Sequence, residues 1–207
     1  MHEVDIIERV IRNIAHEVRN PLTTVKGYAQ LLSQKNEPAL IVKSQHMIIE
    51  QSERIDTIFT QLYDAFTVID DDRAECTFPE VLYTVVEESP YSEYITIERN
   101  AQFRISLYVN RFQQCLSSII NGFNWKYFSG ASLHINALKD MHCIVNISFS
   151  GVVFDSIPED IFYYPFQCKQ FFSKGTELFK VYCIAQRSGW QFTFLKERNG
   201  FTLEIPM

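Results

Sequence analysis

The first third of the chain carries an apolar pattern that is typical of one long helix. Between residues 4 and 32 the apolar side chains recur at alternating steps of three and four, which places them in a single stripe. Alternation sustained over several turns is typical of a coiled coil or a helical bundle. A helix of this length extends for about 45 Å, at 1.5 Å per residue. The stripe consists of Val4, Ile7, Ile11, Ile14, Val18, Leu22, Val25, Ala29 and Leu32.

A second apolar stripe follows a short polar turn. The turn ends at Pro38, which suits the first turn of a helix because the missing N–H leaves no intrahelical bond unmade there. Two helices of similar length joined by a short turn predict an antiparallel hairpin. Since a lone hairpin exposes apolar surface, we expect two copies to form a four-helix bundle, so that the protein is a homodimer. The second stripe consists of Ile41, Ile48, Ile55, Ile58, Leu62, Ala65 and Ile69.

The pattern changes after the acidic stretch Asp70, Asp71 and Asp72, which we interpret as a solvated linker. We therefore predict a hairpin over residues 1–70 and a second domain over residues 71–207. The second domain mixes helices with mostly antiparallel strands, which indicates a two-layer α/β sandwich and an α+β chain overall. The predicted helices are 78–88, 111–126 and 174–188, and the predicted strands are 94–99, 103–109, 132–138, 143–149, 191–196 and 201–205, the last two joined at Asn199-Gly200.

Composition and charge exclude several classes of protein. Hydrophobic residues make up 46% of the chain and charged residues 21%, which is typical of a folded globular protein. The formal net charge of -6 argues against a nucleic-acid partner. No run of 18 apolar residues is present, so no membrane-spanning helix is predicted. The five cysteines are scattered without a CxxC pair, which indicates buried thiols, no zinc and a cytoplasmic location.

One segment inside the first helix carries chemistry. His16 flanks the apolar stripe, so its imidazole is expected to reach solvent, where a neutral ring nitrogen is a good nucleophile. Glu17 is adjacent and suited to accept or orient the proton on the other ring nitrogen. Asn20 lies one helical turn further along the same face. Pro21 removes the hydrogen bond to the Glu17 carbonyl, at a cost of about 3 kcal/mol, and is expected to loosen the backbone beside His16.

Residues 16–23, HEVRNPLT, and their continuation to residue 32 resemble the phosphoacceptor box of sensor histidine kinases. The resemblance is strongest to kinases of sporulation-type phosphorelays. It implies that His16 accepts a phosphoryl group, that Glu17 assists proton transfer and that Asn20 assists dephosphorylation of the partner. It also implies that receiver domains of response regulators are the partners. The residues assigned to partner binding are Arg19, Thr23 and Lys26.

In that family an ATP-binding domain follows the hairpin, and here its nucleotide-binding residues are replaced. The second glycine box reads Gly175 to Phe179, with Glu177 and Phe179 in place of glycines. Those glycines let backbone N–H groups approach phosphates, which Glu177 repels and Phe179 excludes by size. The first glycine box lacks its Asp, and the asparagine helix aligns only Asn121 or Asn124. The aromatic residues expected to close the cleft are Phe123, Trp125, Phe128, Phe162, Tyr163, Tyr164, Phe166, Phe171 and Phe172.

Three functions remain open on the sequence. The favoured one is a histidine phosphotransferase that accepts a phosphoryl group on His16 and exchanges it with receiver-domain aspartates without ATP. In this reading the chain binds no cofactor, and the receiver supplies the Mg²⁺ that phosphoryl transfer needs. The alternatives are a divergent ATP-dependent histidine kinase and a non-enzymatic pseudokinase that regulates a kinase or a response regulator. A sequestering protein does not need Glu17 and Asn20, which favours the phosphotransferase.

Overall fold

Two long helices precede a mixed α/β domain in the computed structural model, which describes residues 3–34, 37–98, 102–154, 160 and 164–207. The helices are α1 (Glu3–Gln34), α2 (Pro38–Phe66), α3 (Glu80–Glu87), α4 (Val109–Gly122) and α5 (Glu177–Ser188). The strands are β1 (Arg73–Phe78), β2 (Ile95–Ile97), β3 (Phe103–Tyr108), β4 (Ser132–Lys139), β5 (His142–Ser150), β6 (Gln191–Leu195) and β7 (Gly200–Pro206). The predicted α+β class, with a hairpin followed by an α/β domain, is confirmed.

Each helix of the hairpin contains one proline, and the two prolines stand in different positions. Pro38 occupies the first turn of α2, as predicted. Pro21 lies inside α1 and is buried, and the helix continues through it without a break. Just after it the Thr23 hydroxyl donates a hydrogen bond of 2.8 Å to the Arg19 carbonyl, and the Thr24 hydroxyl donates one of 3.4 Å to the Asn20 carbonyl. Neither bond reaches the Glu17 carbonyl, which is the acceptor that loses its donor at Pro21.

The core of the α/β domain lies between a five-stranded sheet and helices α3, α4 and α5. The strand order is β2-β4-β5-β7-β6, with β2 and β4 parallel and the other pairs antiparallel. Burial alternates along β4, where Leu133, Ile135 and Ala137 face the core, as expected for a sheet covered on one side. The predicted closing hairpin is present, and Asn199 adopts the left-handed conformation at its turn.

The linker differs from the prediction because Asp71 is bonded rather than solvated. Its Oδ2 accepts the backbone N–H groups of Asn110 (2.7 Å) and Arg111 (3.2 Å) at the start of α4. A carboxylate at this position stabilises the free donors and the positive end of the helix dipole. After it, β1 pairs antiparallel with β3 in a separate two-stranded sheet. Strand β1 was not predicted, since Arg73–Phe78 carries no clear alternation of apolar and polar residues.

The α/β domain contacts the hairpin through aromatic side chains of α5 and of the segment before it. Phe179 is buried with Val10 and Ala65 of the hairpin, and its ring lies 5.2 Å from that of Phe66. Phe166 is buried with Ile58 and Leu62 of α2 and packs against Ile14 and Val18 of α1. Two polar contacts flank these clusters: Lys180 to Asp64 at 2.9 Å and Arg9 to Asp160 at 3.0 Å.

The hairpin leaves large apolar side chains exposed along both of its helices. Ile7, Ile11 and Leu22 of the α1 stripe are each more than half exposed in the single chain. On α2 the exposed positions fall beside the predicted stripe and not on it. Apolar surface that recurs along both helices in this way is typical of an interface. The exposed α2 residues are Val42, Ile49, Phe59, Tyr63 and Phe66.

Candidate functional site

His16 is exposed in the middle of α1, where the sequence analysis placed it. At 3.6 residues per turn, His16, Asn20 and Thr23 lie within about 60° of one another around the helix. All three are exposed, and so are Arg19 and Lys26 on the flank of the same face. The structure therefore brings together His16 and the four residues around it that were predicted to act on or bind a partner. Arg19 and Lys26 give the face positive charge, which favours an approaching anion.

Glu17 lies on a different side of the helix from His16. It is about 100° further around the axis and is only partly exposed. Its Oε2 lies 2.5 Å from Nζ of Lys169, a residue of the α/β domain. Within the described residues, Glu17 makes no hydrogen bond to the His16 imidazole. Lys169 was not singled out from the sequence, because a lysine 152 positions away leaves no spacing signal.

Glu177 fills the space between α4 and α5. The residue is 6% exposed, and its Oε1 accepts hydrogen bonds from the Ser173 hydroxyl (3.0 Å) and the Lys174 N–H (2.8 Å). A Cβ added to Gly122 would lie 2.4 Å from Cγ of Glu177, so the two helices meet through this side chain. Among the described residues, Oε2 of Glu177 has no hydrogen-bond partner. The carboxylate is thus a buried negative charge beside the cleft.

The cleft that remains beside Glu177 is small. Its volume is about 250 Å³, and Asn121, Lys174 and Lys180 are among the residues that line it. Small-molecule sites in proteins usually span about 300–1,000 Å³. Lys180, which could otherwise meet an anion there, is paired with Asp64 of α2. The cleft is therefore smaller than this range, and its two lysines, Lys174 and Lys180, are matched by two carboxylates.

Aromatic rings occupy the region next to the first glycine box. Phe123 lies 4.8 Å from Phe149, and Phe154 lies 4.8 Å from Phe171, measured between ring centroids. Phe172 is fully buried among them. Three aromatic residues that were expected in the cleft pack on the hairpin instead, namely Tyr164, Phe166 and Phe179. Phe162 and Tyr163 lie outside the described residues.

Other candidate reactive groups do not form a site. Burial raises the pKa of Cys143 and Cys168 to about 12 and that of Cys183 to about 11, so these thiols stay protonated and weakly nucleophilic at neutral pH. No group of three or more His, Cys, Asp or Glu side chains suited to a metal occurs in the described part of the chain. Within the same residues, no helix is long and apolar enough to cross a membrane.

Comparison with protein families identifies the hairpin. Residues 6–66 match the His Kinase A (phospho-acceptor) domain. Sporulation kinase B of Bacillus subtilis is 26% identical over 166 residues, which cover 72% of this chain and 37% of that protein. The chain thus spans just over a third of the length of this relative.

Solved structures share the fold of the whole chain. The histidine kinase ThkA, in its complex with the response regulator protein TrrA, superposes with a TM-score of 0.59 at 19% identity, over 98% of this chain and 62% of that one. The histidine kinase AdeS of Acinetobacter baumannii superposes with a TM-score of 0.50 at 18% identity, over 93% of this chain and 98% of that one. At these identities the likeness establishes the fold alone.

Proposed function

Because this chain belongs to the sensor histidine kinase family, we propose that it is a histidine phosphotransferase of a phosphorelay. His16 accepts a phosphoryl group from the aspartate of one receiver domain and returns it to that of another, without ATP. The observation that carries the proposal is a contrast within the chain: His16 is exposed on an intact helix, whereas Glu177, which stands at a glycine position of the second glycine box, is buried between α4 and α5. The protein acts in the cytoplasm in this proposal.

The transfer itself needs only a nucleophile and positioning. A lone pair on one imidazole nitrogen of His16 attacks phosphorus, the bond from phosphorus to the aspartyl oxygen breaks, and the carboxylate leaves with the electron pair. The proton on the second ring nitrogen stays on His16 or passes to a base. Transfer to the next receiver reverses these steps. Asn20 and Thr23 are placed one and two turns from His16, where they orient the receiver's reacting groups.

The residues present do not fit a nucleotide. Phosphate groups bind where backbone N–H groups are free and no side chain intervenes, and here the Lys174 N–H is bonded to the Glu177 carboxylate. The same carboxylate repels a triphosphate. We therefore expect no cofactor on this chain, and we assign the Mg²⁺ that the reaction requires to the receiver domain.

The exposed face around His16 is the proposed binding surface for the receiver domain. Arg19 and Lys26 flank the histidine with positive charge, and a receiver domain presents carboxylates beside its phosphoaspartate. Arginine binds such groups through a planar pair of donors. The dimer is part of the same proposal: the exposed apolar side chains of α1 and α2 meet those of a second copy to form a four-helix bundle.

The direct test is phosphoryl transfer from phosphorylated receiver domains to the protein. A panel of receiver domains is phosphorylated with acetyl phosphate and incubated with the protein, and acid-labile phosphate on the protein is measured. We expect labelling of the wild type and none of His16→Ala, whose fold and dimer are unchanged because the side chain is exposed. Labelling of His16→Ala would contradict the proposal, and absence of labelling in the wild type with every receiver would favour a non-enzymatic regulator.

Nucleotide binding separates the phosphotransferase from a divergent kinase. We expect no binding of Mg-ATP at millimolar concentration in a calorimetric titration and no labelling of His16 from ATP alone. A dissociation constant below about 100 μM, or roughly −5.5 kcal/mol, would revive the kinase reading. Binding of Mg-ATP without labelling of His16 would mean that a nucleotide cleft remains but that the protein is not an ATP-dependent kinase.

A further inference from the structure

Lys169 reaches from the α/β domain to the residue next to His16. It lies in the segment between Tyr164 and Thr176, which leads into α5. Its Nζ is 2.5 Å from Oε2 of Glu17 and 4.9 Å from the centroid of the Phe166 ring. The side chains of Lys169 and Glu17 are 44% and 20% exposed. The ion pair is therefore partly removed from water on the Glu17 side, where it is screened less than a fully exposed pair.

The backbone on either side of Lys169 is fixed. Its carbonyl accepts a hydrogen bond of 3.2 Å from Nδ2 of Asn124. Phe166 is buried against the hairpin, and its N–H donates to the Gly175 carbonyl at 2.7 Å. The backbone is therefore already ordered, and the ion pair has to order only the side chains of Lys169 and Glu17.

Gly175 makes room for the lysine stem. It has a φ of +75°, and a Cβ at this position would lie 2.7 Å from Cγ of Lys169 and 3.0 Å from Cα of Phe166. A side chain at position 175 would displace the lysine from its path to α1. Gly175, which the sequence pattern relates to phosphate binding, thus also leaves room for Lys169.

We propose that Lys169 is a positioning residue for phosphoryl transfer at His16 and acts through Glu17. The inference rests on the proposed function. Glu17 places a negative charge one residue from the nucleophile, and an incoming phosphoryl donor is itself anionic. Like charges a few Å apart repel, most strongly where water is partly excluded. Lys169 neutralises the carboxylate and holds it away from His16, so the α/β domain contributes to the reaction without binding a nucleotide.

Docking of the α/β domain does not depend on this ion pair. Phe179 and Phe166 bury their rings against the hairpin, and Lys180 pairs with Asp64. Replacing Lys169 with Met keeps a side chain of similar length and removes the ammonium group, which contacts both Glu17 and the Phe166 ring. The contribution through Glu17 is therefore isolated by comparing this variant in the wild-type and Glu17→Gln backgrounds.

The experiment uses phosphoramidate, an anionic phosphoryl donor that needs no receiver. Its N–P bond breaks as His16 attacks, and ammonia leaves. Labelling of His16→Ala is subtracted as the background from other histidines. We expect Lys169→Met to lower the rate at His16 about tenfold, Lys169→Arg to retain most of the rate, and Lys174→Met, the matched control at an exposed lysine of the same segment, to leave it unchanged. At higher salt the rate of Lys169→Met should recover in part, because screening weakens the repulsion.

A double-mutant cycle that combines Lys169→Met with Glu17→Gln decides whether Lys169 acts through Glu17. If the inference holds, Lys169→Met has no further effect in the Glu17→Gln background, whatever the rate of that background. An equal loss in both backgrounds, or an unchanged or faster Lys169→Met, overturns it. Wild type that reacts with phosphoramidate but with no receiver would refute the proposed function and leave the role of Lys169 intact. No labelling above the His16→Ala background would overturn both.

Discussion

The hairpin and the α/β domain differ in how far their apolar side chains are exposed. In the hairpin, side chains such as Ile7 and Phe59 are 59% and 54% exposed, and the reactive histidine lies in the open. In the α/β domain, large side chains such as Phe172 and Phe201 are buried in a closed aromatic core. The difference indicates that the hairpin keeps apolar surface available for contact with other molecules, while the α/β domain buries its own.

The largest expected effect follows from the closed region. Phe172→Ala should destabilise the α/β domain by about 3–5 kcal/mol, since the cavity left by a buried phenylalanine fills poorly. The side chain is 0% exposed and bridges Phe123 and Phe201. Urea unfolding followed by tryptophan fluorescence measures the loss, because Trp125 and Trp190 both lie in this domain. Tyr127→Ala, at an 81% exposed position, is the control and should change stability by less than about 0.5 kcal/mol.

If Phe172→Ala lowered the free energy of unfolding by less than about 1 kcal/mol, the contrast between an open hairpin and a closed α/β domain would fail. It would mean that the aromatic cluster is loosely packed and that space for a ligand exists between α4 and the sheet. The calorimetric titration with Mg-ATP should then be repeated on this variant.

The open face of the hairpin gives the next largest effect. Phe59→Asp should raise the dissociation constant of the dimer at least a hundredfold, or about 2.7 kcal/mol, because a charge would be buried at the centre of an apolar interface. Sedimentation velocity or light scattering across a concentration series measures it. Tyr127→Asp is the matched control, since it places the same charge at another exposed aromatic residue. A wild type that is monomeric at micromolar concentration would contradict the proposed dimer.

The sequence predicted the hairpin better than the α/β domain for a physical reason. The apolar spacing on α1 and the local segment around His16 depend on residues within a few turns of each other, so they can be read from the chain. The direction taken by Phe179 depends on the packing of α5 against α2, and it faces the hairpin, not the cleft. The ion pair of Lys169 with Glu17 depends equally on long-range packing. Strand β1 was missed because its pairing with β3, and not its own pattern, defines it.

The linker between the two regions gives the smallest effect. Asp71→Ala should lower stability by about 1–2 kcal/mol, because the carboxylate caps the N-terminus of α4 from outside the helix. Two backbone donors at Asn110 and Arg111 lose their acceptor, and the Asn110 amide loses its bond of 3.0 Å to Oδ1. Thermal unfolding should show a midpoint lowered by a few degrees. Asp72→Ala removes the same charge from the exposed neighbouring residue and should leave the midpoint unchanged. Equal effects of the two variants would mean that the acidic stretch acts through its net charge and not through a specific cap on α4.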